Sequence, residues 1–123
     1  MGSVSRDPRR ALGATGEDLA AAWYEERGYK VLDRNWRCTQ GEIDLVLGTS
    51  TMVVFCEVKT RRGAAFGSPF EAVTHAKQQR LRTLALRWLA EHEHRASELR
   101  FDVASVSARR GYKPEIQVIE AAF

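Results

Sequence analysis

Two consecutive segments of the chain alternate in a way that predicts paired β-strands, over residues 42–47 and 52–60. Successive side chains of a strand point to opposite faces, and the second segment carries apolar side chains on both faces as far as Cys56. Burial on two faces is typical of a strand at the centre of a sheet. The short, turn-like connection 48–51 predicts that the two strands form a hairpin.

The first of these strands shows a simple alternation. Ile43, Leu45 and Leu47 are predicted on one face, and Glu42 and Asp44 on the other. This alternation places both acidic residues of the strand on a single face.

A helical pattern precedes the strands, from Gly13 to Arg27, and Gly28 is a plausible residue to end it. At 100° per residue its apolar side chains form one arc, and Glu17 lies within that arc. A carboxylate on the buried side of a helix must be paired, bound to a metal, or at the end of the apolar stripe.

A second helical region runs from residue 68 to about His94. Residues 68–71 (Ser-Pro-Phe-Glu) form a capping-box sequence, and Thr74 could cap a second segment if the region is broken there. Five apolar residues recur at the spacing of a core-facing stripe: Leu81, Leu84, Ala85, Trp88 and Leu89.

Three further strands are predicted at residues 29–36, 99–106 and 115–119. The order is therefore helix, three strands, long helix and two strands, which predicts a mixed α/β fold with helices covering a sheet. We expect a single domain over residues 12–123 and a flexible basic tail over residues 1–11.

Composition narrows the class of protein. The chain has 123 residues, of which 44% are hydrophobic, so it can bury a core without a disulfide scaffold. No apolar run approaches the roughly 20 residues of a membrane helix, and we expect a cytoplasmic protein with no membrane partner. Cys38 and Cys56 are expected to be free thiols. A net charge of +3 permits a nucleic-acid partner without demanding one.

Candidate chemistry lies where the two central strands carry charge. Glu57 and Lys59 share one face of the second strand, roughly 7 Å apart. If the hairpin pairs residues whose numbers sum to 99 or 101, Asp44 lies beside or diagonal to Glu57, and Glu17 can join from the first helix. An E-x-K pair on a strand is usually an ordinary ion pair, and a buried structural Asp44–Lys59 pair without activity is the alternative reading.

Two carboxylates and an amine suit metal-assisted hydrolysis. Asp44 and Glu57 can hold a hard cation such as Mg²⁺, with the backbone carbonyl of Val58 as a further ligand. The ion would lower the pKa of a bound water and neutralise developing charge, and Lys59 would orient that water or stabilise the transition state.

These residues resemble the signature of the PD-(D/E)xK nuclease superfamily, with Ile43 where that pattern often has Pro. The wider pattern is similar to the bacterial YraN-like family of endonuclease-like proteins, and the layout is similar to archaeal Holliday-junction resolvases. The likeness covers about residues 13–106. The matching motifs are Gly16-Glu17, Gly28-Tyr29, Asn35-Trp36, Gly41-Glu42-Ile43-Asp44-Leu45, Val54-Phe55-Cys56-Glu57-Val58-Lys59-Thr60-Arg61, Lys77 and Arg100-Phe101-Asp102-Val103.

The resemblance implies a restriction-endonuclease-like αβββαβ core, dependence on Mg²⁺ or Mn²⁺, and a nucleic-acid substrate. It implies metal binding by Asp44 and Glu57, catalytic support by Lys59, and a role in or beside the metal site for Glu17. Glu42 shares the face of Asp44 and is either a supporting acid or simply an exposed residue at the start of the strand.

Basic residues follow the proposed site in the sequence, on the loop after Lys59 and at the start of the long helix. The candidate nucleic-acid-binding residues are Arg61, Arg62, Lys77, Gln78 and Arg80. Each arginine alone is more often an ordinary solvated side chain.

We expect a metal-dependent nuclease acting on DNA, with branched or single-stranded DNA as candidate substrates. A non-catalytic nucleic-acid-binding module and a structural or regulatory protein with ion-paired acids are the alternatives. A homodimer is one assembly that would allow symmetric cutting of two strands.

Overall fold

The computed structural model describes residues 8–62, 74–108 and 111–123, with side chains for residues 16–61, 74–108 and 111–123. The elements within these ranges are α1 (Pro8–Glu26), β1 (Lys30–Cys38), β2 (Gly41–Gly48), β3 (Met52–Arg62), α2 (His75–Glu91), β4 (Glu98–Ala108) and β5 (Glu115–Ile119). The predicted order of elements is confirmed.

The strands form one sheet in the order β1-β2-β3-β4-β5. Strands β3 and β4 are parallel and joined through α2, whereas the other neighbouring pairs are antiparallel. A parallel pair needs a crossover connection, which α2 and its flanking segments provide. The mixed sheet flanked by helices is the architecture that the sequence predicts.

Strand β3 lies at the centre of the sheet and is covered on both faces, as its pattern predicts. Val53 and Phe55 pack in a core cluster with Leu84 and Trp88 of α2. On the opposite face, Val54 and Cys56 belong to a second cluster, built with residues of α1 that include Ala20, Ala21 and Tyr24. The charged end of β3 therefore emerges from a strand that is buried on two sides.

Helix α2 begins at His75, directly after the residue proposed to cap a second helical segment. Its N-cap is Thr74, whose side chain accepts a hydrogen bond from the Lys77 amide, so the alternative cap is confirmed. Residues 68–71 lie outside the described part of the chain. The predicted stripe is confirmed: Leu81, Leu84, Ala85 and Trp88 are buried, with Leu89 packed against them, and the helix ends at Glu91 rather than His94.

Helix α1 begins at Pro8, five residues before the predicted start at Gly13. Proline fits the first turn of a helix because its missing N–H would have no helical partner there. Residues 8–11, expected as part of the basic tail, are thus helical, and residues 1–7 lie outside the described residues.

The predicted alternation of β2 is wrong at Ile43. Leu45 packs on the α1 side, but Ile43, two residues away, packs in the α2-side cluster with its cross-strand partner Trp36. Asn35, which precedes Trp36, has a φ of 52°, in the left-handed region. The face reverses between the pairs Arg34–Leu45 and Trp36–Ile43, because this backbone conformation interrupts the regular pleat.

A buried ion pair joins α1, β4 and the C-terminal residues. Asp102 is fully buried, accepts two hydrogen bonds of 2.8 Å from Arg100, and accepts a third from the Tyr24 hydroxyl at 2.6 Å. The Ala121 amide donates to the same carboxylate. This satisfied network fixes α1 against the sheet without taking part in the candidate site.

The two cysteines are free thiols, as expected, with Cys56 buried. In the described ranges, neither helix combines the length and the apolar character that crossing a bilayer would require.

Candidate active site

The site forms where β2 and β3 separate. Their paired register ends at Leu45–Cys56, whose numbers sum to 101, one of the two registers considered from the sequence. Asp44, the next residue, does not continue the ladder; its Oδ2 accepts a hydrogen bond of 2.8 Å from the Val58 amide. This contact fixes the Asp44 carboxylate beside Glu57, on the side of β3 that β2 has left.

Glu57 of β3 is a charged residue that is almost completely buried, with only 8% of its surface exposed. Its Oε1 atom receives two ammonium groups, Lys59 Nζ at 3.1 Å and Lys77 Nζ in closer contact. Its Oε2 atom is buried and has no hydrogen-bond partner among the described residues. A buried carboxylate oxygen without a partner is costly, so it marks a position where a ligand would be stabilising.

A cavity of about 220 Å³ opens beside this carboxylate. Acidic and basic side chains converge on it, over a floor of apolar residues from α2. The lining residues are Glu42, Asp44, Glu57, Lys77, Arg80, Leu81 and Leu84. Asp44 and Glu57 thus lie on one side of the sheet and share one cavity, as the register argument predicts.

The acids around Asp44 add to a raised pKa of its carboxyl group. Burial raises the pKa of Asp44 to about 7, with the charges of Glu57, Glu17 and Glu42 adding to the effect and the Val58 amide opposing it. A metal-free site therefore disfavours the ionised form of Asp44, and a bound cation would favour it.

Glu17 approaches from α1. Its Oε2 accepts a hydrogen bond of 2.8 Å from the Asn35 side chain, and burial raises its pKa. Glu17 is not among the residues that line the cavity in the described part of the chain, but its charge contributes to the raised pKa of Asp44. It is therefore placed beside the site rather than within it.

Glu42 lines the cavity and also forms an ion pair of 2.6 Å with Arg37. Because Arg37 is largely exposed, this pair lies at the rim. Glu42 is half-buried rather than simply exposed, and its charge raises the pKa of Asp44, so its position favours the supporting-acid alternative.

Asp44 and Glu57 fit a hard divalent cation, because Glu57 Oε2 is buried and lacks a partner within the described ranges. The N–H and C=O of a strand residue point to the same edge, so the Val58 carbonyl faces the Asp44 side, as its amide does. No group of three His, Cys, Asp or Glu side chains with metal-binding geometry occurs among the residues described. A two-carboxylate site, completed by a backbone carbonyl and water, remains the set these residues offer.

The candidate nucleic-acid-binding residues lie in different places in the structure, and only some of them line the cavity. Lys77 and Arg80 line the cavity. Arg61 is half-buried near the end of β3, and Gln78 is half-buried in the first part of α2, with its amide bonded to the Thr74 carbonyl. Arg62 ends β3, and its side chain lies outside the described part of the chain.

Two contacts of the site were not predicted from the sequence. Lys77 was expected to face phosphate, yet its ammonium contacts Glu57. Asn35, which holds Glu17, gave a usable signal: asparagine is depleted in strands and tolerates the left-handed conformation. An Asn inside the predicted strand 29–36 was that signal.

The element order and the mixed sheet with its two covering helices place this protein in the restriction-endonuclease-like fold class. Comparison with known families then identifies the family. Residues 16–106 match the profile of the uncharacterised protein family UPF0102, and the chain belongs to this family, which is the YraN-like group.

Relatives from several bacteria are similar to this chain over most of their length. A UPF0102 protein of Rhodococcus opacus (strain B4) is 49% identical over 113 residues, which is 92% of this chain and 96% of the relative. A UPF0102 protein of Beutenbergia cavernae is 54% identical over 100 residues, covering 81% and 85%. One from Frankia alni is 56% identical over 97 residues, covering 79% and 81%.

Proposed function

We propose that this protein is a nuclease that hydrolyses phosphodiester bonds in DNA with the help of Mg²⁺ or Mn²⁺. The observation that carries the proposal is the buried Glu57 carboxylate: two lysines hold one oxygen, and the other, beside the cavity, has no partner among the residues that the structure describes. A purely structural ion pair would be expected to satisfy both oxygens, because an unpaired buried oxygen destabilises the fold.

Asp44, Glu57 and the Val58 carbonyl would hold the cation. When bound, a divalent cation supplies an activated water and neutralises charge on the phosphoryl group. Asp44 contributes a carboxylate whose orientation is fixed by the Val58 amide. Glu57 contributes a second carboxylate, and Lys59 and Lys77 fix its orientation. Neither side chain has to reorganise before it can bind.

Lys59 supplies positive charge at the reacting centre. Its ammonium is 3.1 Å from Glu57 Oε1, so the carboxylate holds it close to where the scissile phosphate would lie. A fixed ammonium in a partly buried site stabilises the additional negative charge of the transition state. Glu17, held by Asn35, would act on the site through its negative charge.

A nucleic acid is the class of substrate that the surrounding charges favour, and DNA is the member of that class we propose. Lys77 and Arg80 line the cavity, and the whole chain carries a net charge of +3. A phosphate backbone gains affinity from such cations by releasing its own counterions. Nothing in these residues resembles a base-reading motif, which favours recognition of DNA shape over sequence.

Cleavage assays with labelled single-stranded, duplex and four-way-junction DNA test the proposal. We expect cleavage with Mg²⁺ or Mn²⁺ and none in EDTA. Asp44→Asn and Lys59→Ala should each lower the rate by about 100-fold or more. Lys113→Ala, at an exposed lysine distant in sequence from the site, is the matched control and should cleave at the wild-type rate.

The same assay separates the alternatives. DNA binding without cleavage under any metal condition would instead support a non-catalytic binding module with this fold. Neither binding nor cleavage would favour a structural protein whose acids and lysines serve only as ion pairs.

A further inference from the structure

Lys77 occupies a position that local helix energetics disfavour. It is the third residue of α2, and its amide donates to the Thr74 N-cap. The N-terminal end of a helix carries partial positive charge, so acidic residues are preferred there, yet the first turn of α2 contains none. A lysine at this position needs a nearby anion, and Glu57 provides it. Residues that break a local rule in this way are expected at functional sites.

Glu57 already has a cation from its own strand. Lys59 lies two residues away and reaches Oε1 at 3.1 Å. Lys77 adds a second ammonium to the same oxygen from a different element, while Oε2 has no partner among the described residues. One carboxylate oxygen thus carries two positive charges, more than its own neutralisation requires.

The two lysines differ in their access to the cavity. Lys77 lines the cavity together with Asp44 and Glu57, and its side chain is 33% exposed. Its ammonium can therefore leave Glu57 and remain within the site.

We infer that Lys77 is an exchangeable counter-ion of Glu57, which neutralises this carboxylate in the metal-free protein and is displaced toward the substrate phosphate when a divalent cation binds. The inference rests on the proposed metal site. It follows from charge: a divalent cation at Asp44 and Glu57 would repel two ammonium groups on the same carboxylate. Of the two, Lys77 has the open path into the cavity.

Metal affinity measures this exchange directly. Mn²⁺ binding, followed by calorimetry or by the electron paramagnetic resonance signal of free Mn²⁺, should tighten by about tenfold or more in Lys77→Met, because the competing cation is removed. Lys77→Arg keeps the charge and should not tighten binding. Lys113→Met is the matched control for loss of a lysine elsewhere and should bind Mn²⁺ as the wild type does.

Unchanged or weaker Mn²⁺ binding by folded Lys77→Met would overturn the inference while leaving the proposed function intact. Failure of the wild-type protein to bind Mn²⁺ would overturn both. These two outcomes are therefore distinguishable.

Lys77→Met removes one cation from a buried carboxylate and so destabilises the fold. A second measurement therefore uses the unaltered lysine side chain. The Lys77 side-chain ¹⁵N resonance of the wild-type protein, assigned by its loss in Lys77→Arg, should shift when Mg²⁺ is added. The Lys113 resonance should not shift. A Lys77 resonance that stays in place while Mg²⁺ shifts the signals of Asp44 and Glu57 would overturn the inference.

Discussion

Asp44 shows, at the scale of one residue, how a candidate site opposes the stability of its own fold. Its carboxylate is largely buried, and the negative charges of Glu57, Glu17 and Glu42 add to the cost of ionising it. Its pKa is about 7 in the folded protein, against an ordinary value near 3.8. An acid whose pKa is raised by folding stabilises the fold below its unfolded pKa, and that contribution is lost as the pH rises through the folded value.

The stability of the metal-free protein should therefore fall between about pH 4 and pH 7. Asp44→Asn cannot ionise and still offers an oxygen to the Val58 amide. It should exceed the wild type at pH 8 by an amount on the order of a few kcal/mol, since each pKa unit corresponds to about 1.4 kcal/mol. Urea unfolding in EDTA at pH 5 and pH 8 measures this.

Asp18→Asn, which alters an exposed carboxylate of α1, is the control and should show no comparable change between the two pH values. An Asp44→Asn protein that is less stable than the wild type at pH 8 would contradict the raised pKa.

Close packing at the scale of one element sets the distance between α1 and β3. A Cβ atom added at Gly16 would lie 2.0 Å from Thr60 Oγ1 and 3.3 Å from Thr60 Cβ. Glycine at this position lets the helix approach the strand, and the next residue of the helix is Glu17. The spacing of this contact therefore also governs how near Glu17 comes to Asp44.

Gly16→Ala should destabilise the protein by about 1–3 kcal/mol, because the added methyl overpacks this contact. The better helix propensity of alanine offsets at most about 1 kcal/mol of that loss. Thr60→Ala removes the Oγ1 atom, so the double variant should recover part of the stability, as a double-mutant cycle in urea would show. Equal costs of Gly16→Ala with and without Thr60 would exclude the contact as the cause.

The sequence predicts a helix or strand correctly where its buried positions recur with the repeat of that element. The two-faced pattern of β3 and the stripe of α2 placed these elements between the correct layers, because each follows the geometric repeat of its own backbone. The reversal at Ile43 was not predictable from β2 itself, since its cause is the left-handed Asn35 on the neighbouring strand. The start of α1 was missed because a basic, proline-containing segment resembles a tail as much as a first helical turn.

The candidate site was predictable in part. The meeting of Asp44 and Glu57 depends only on the hairpin register, which periodicity limits to a few choices. The contact between Lys77 and Glu57 depends on how a crossover helix lies over the sheet, which no local pattern encodes. The partners of Asp102 lie in three separate parts of the chain, and its burial could not be foreseen for the same reason.

At the scale of the whole molecule, the Asp102 network ties the first helix, β4 and the C-terminal residues together. Asp102→Asn should destabilise the fold by about 3–5 kcal/mol, because it leaves Arg100 without its buried countercharge and gives the Tyr24 hydroxyl or the Ala121 amide a donor to face. Thermal or urea unfolding measures the loss. Loss of Mn²⁺ binding in the folded variant would contradict its separation from the site.

The positive charge of the protein surface determines how its affinity for DNA depends on salt concentration. DNA affinity should fall as salt rises, and Arg80→Ala should reduce the slope of log K against log salt by about 1, as expected for one lost phosphate contact. Arg95→Ala, at an exposed arginine outside the cavity, is the matched control and should keep the wild-type slope. Identical slopes for the wild type and Arg80→Ala would exclude Arg80 from the DNA interface.

Anomalous diffraction from a crystal of the wild-type protein soaked in Mn²⁺ shows whether Asp44 and Glu57 bind a divalent cation. We expect one anomalous peak between Asp44 and Glu57 Oε2, at about 2.1 Å from the carboxylate oxygens. The peak should be lost in Asp44→Asn crystals soaked in the same way. A wild-type crystal with no peak at these residues, or with Mn²⁺ bound only elsewhere, would contradict the proposed metal site.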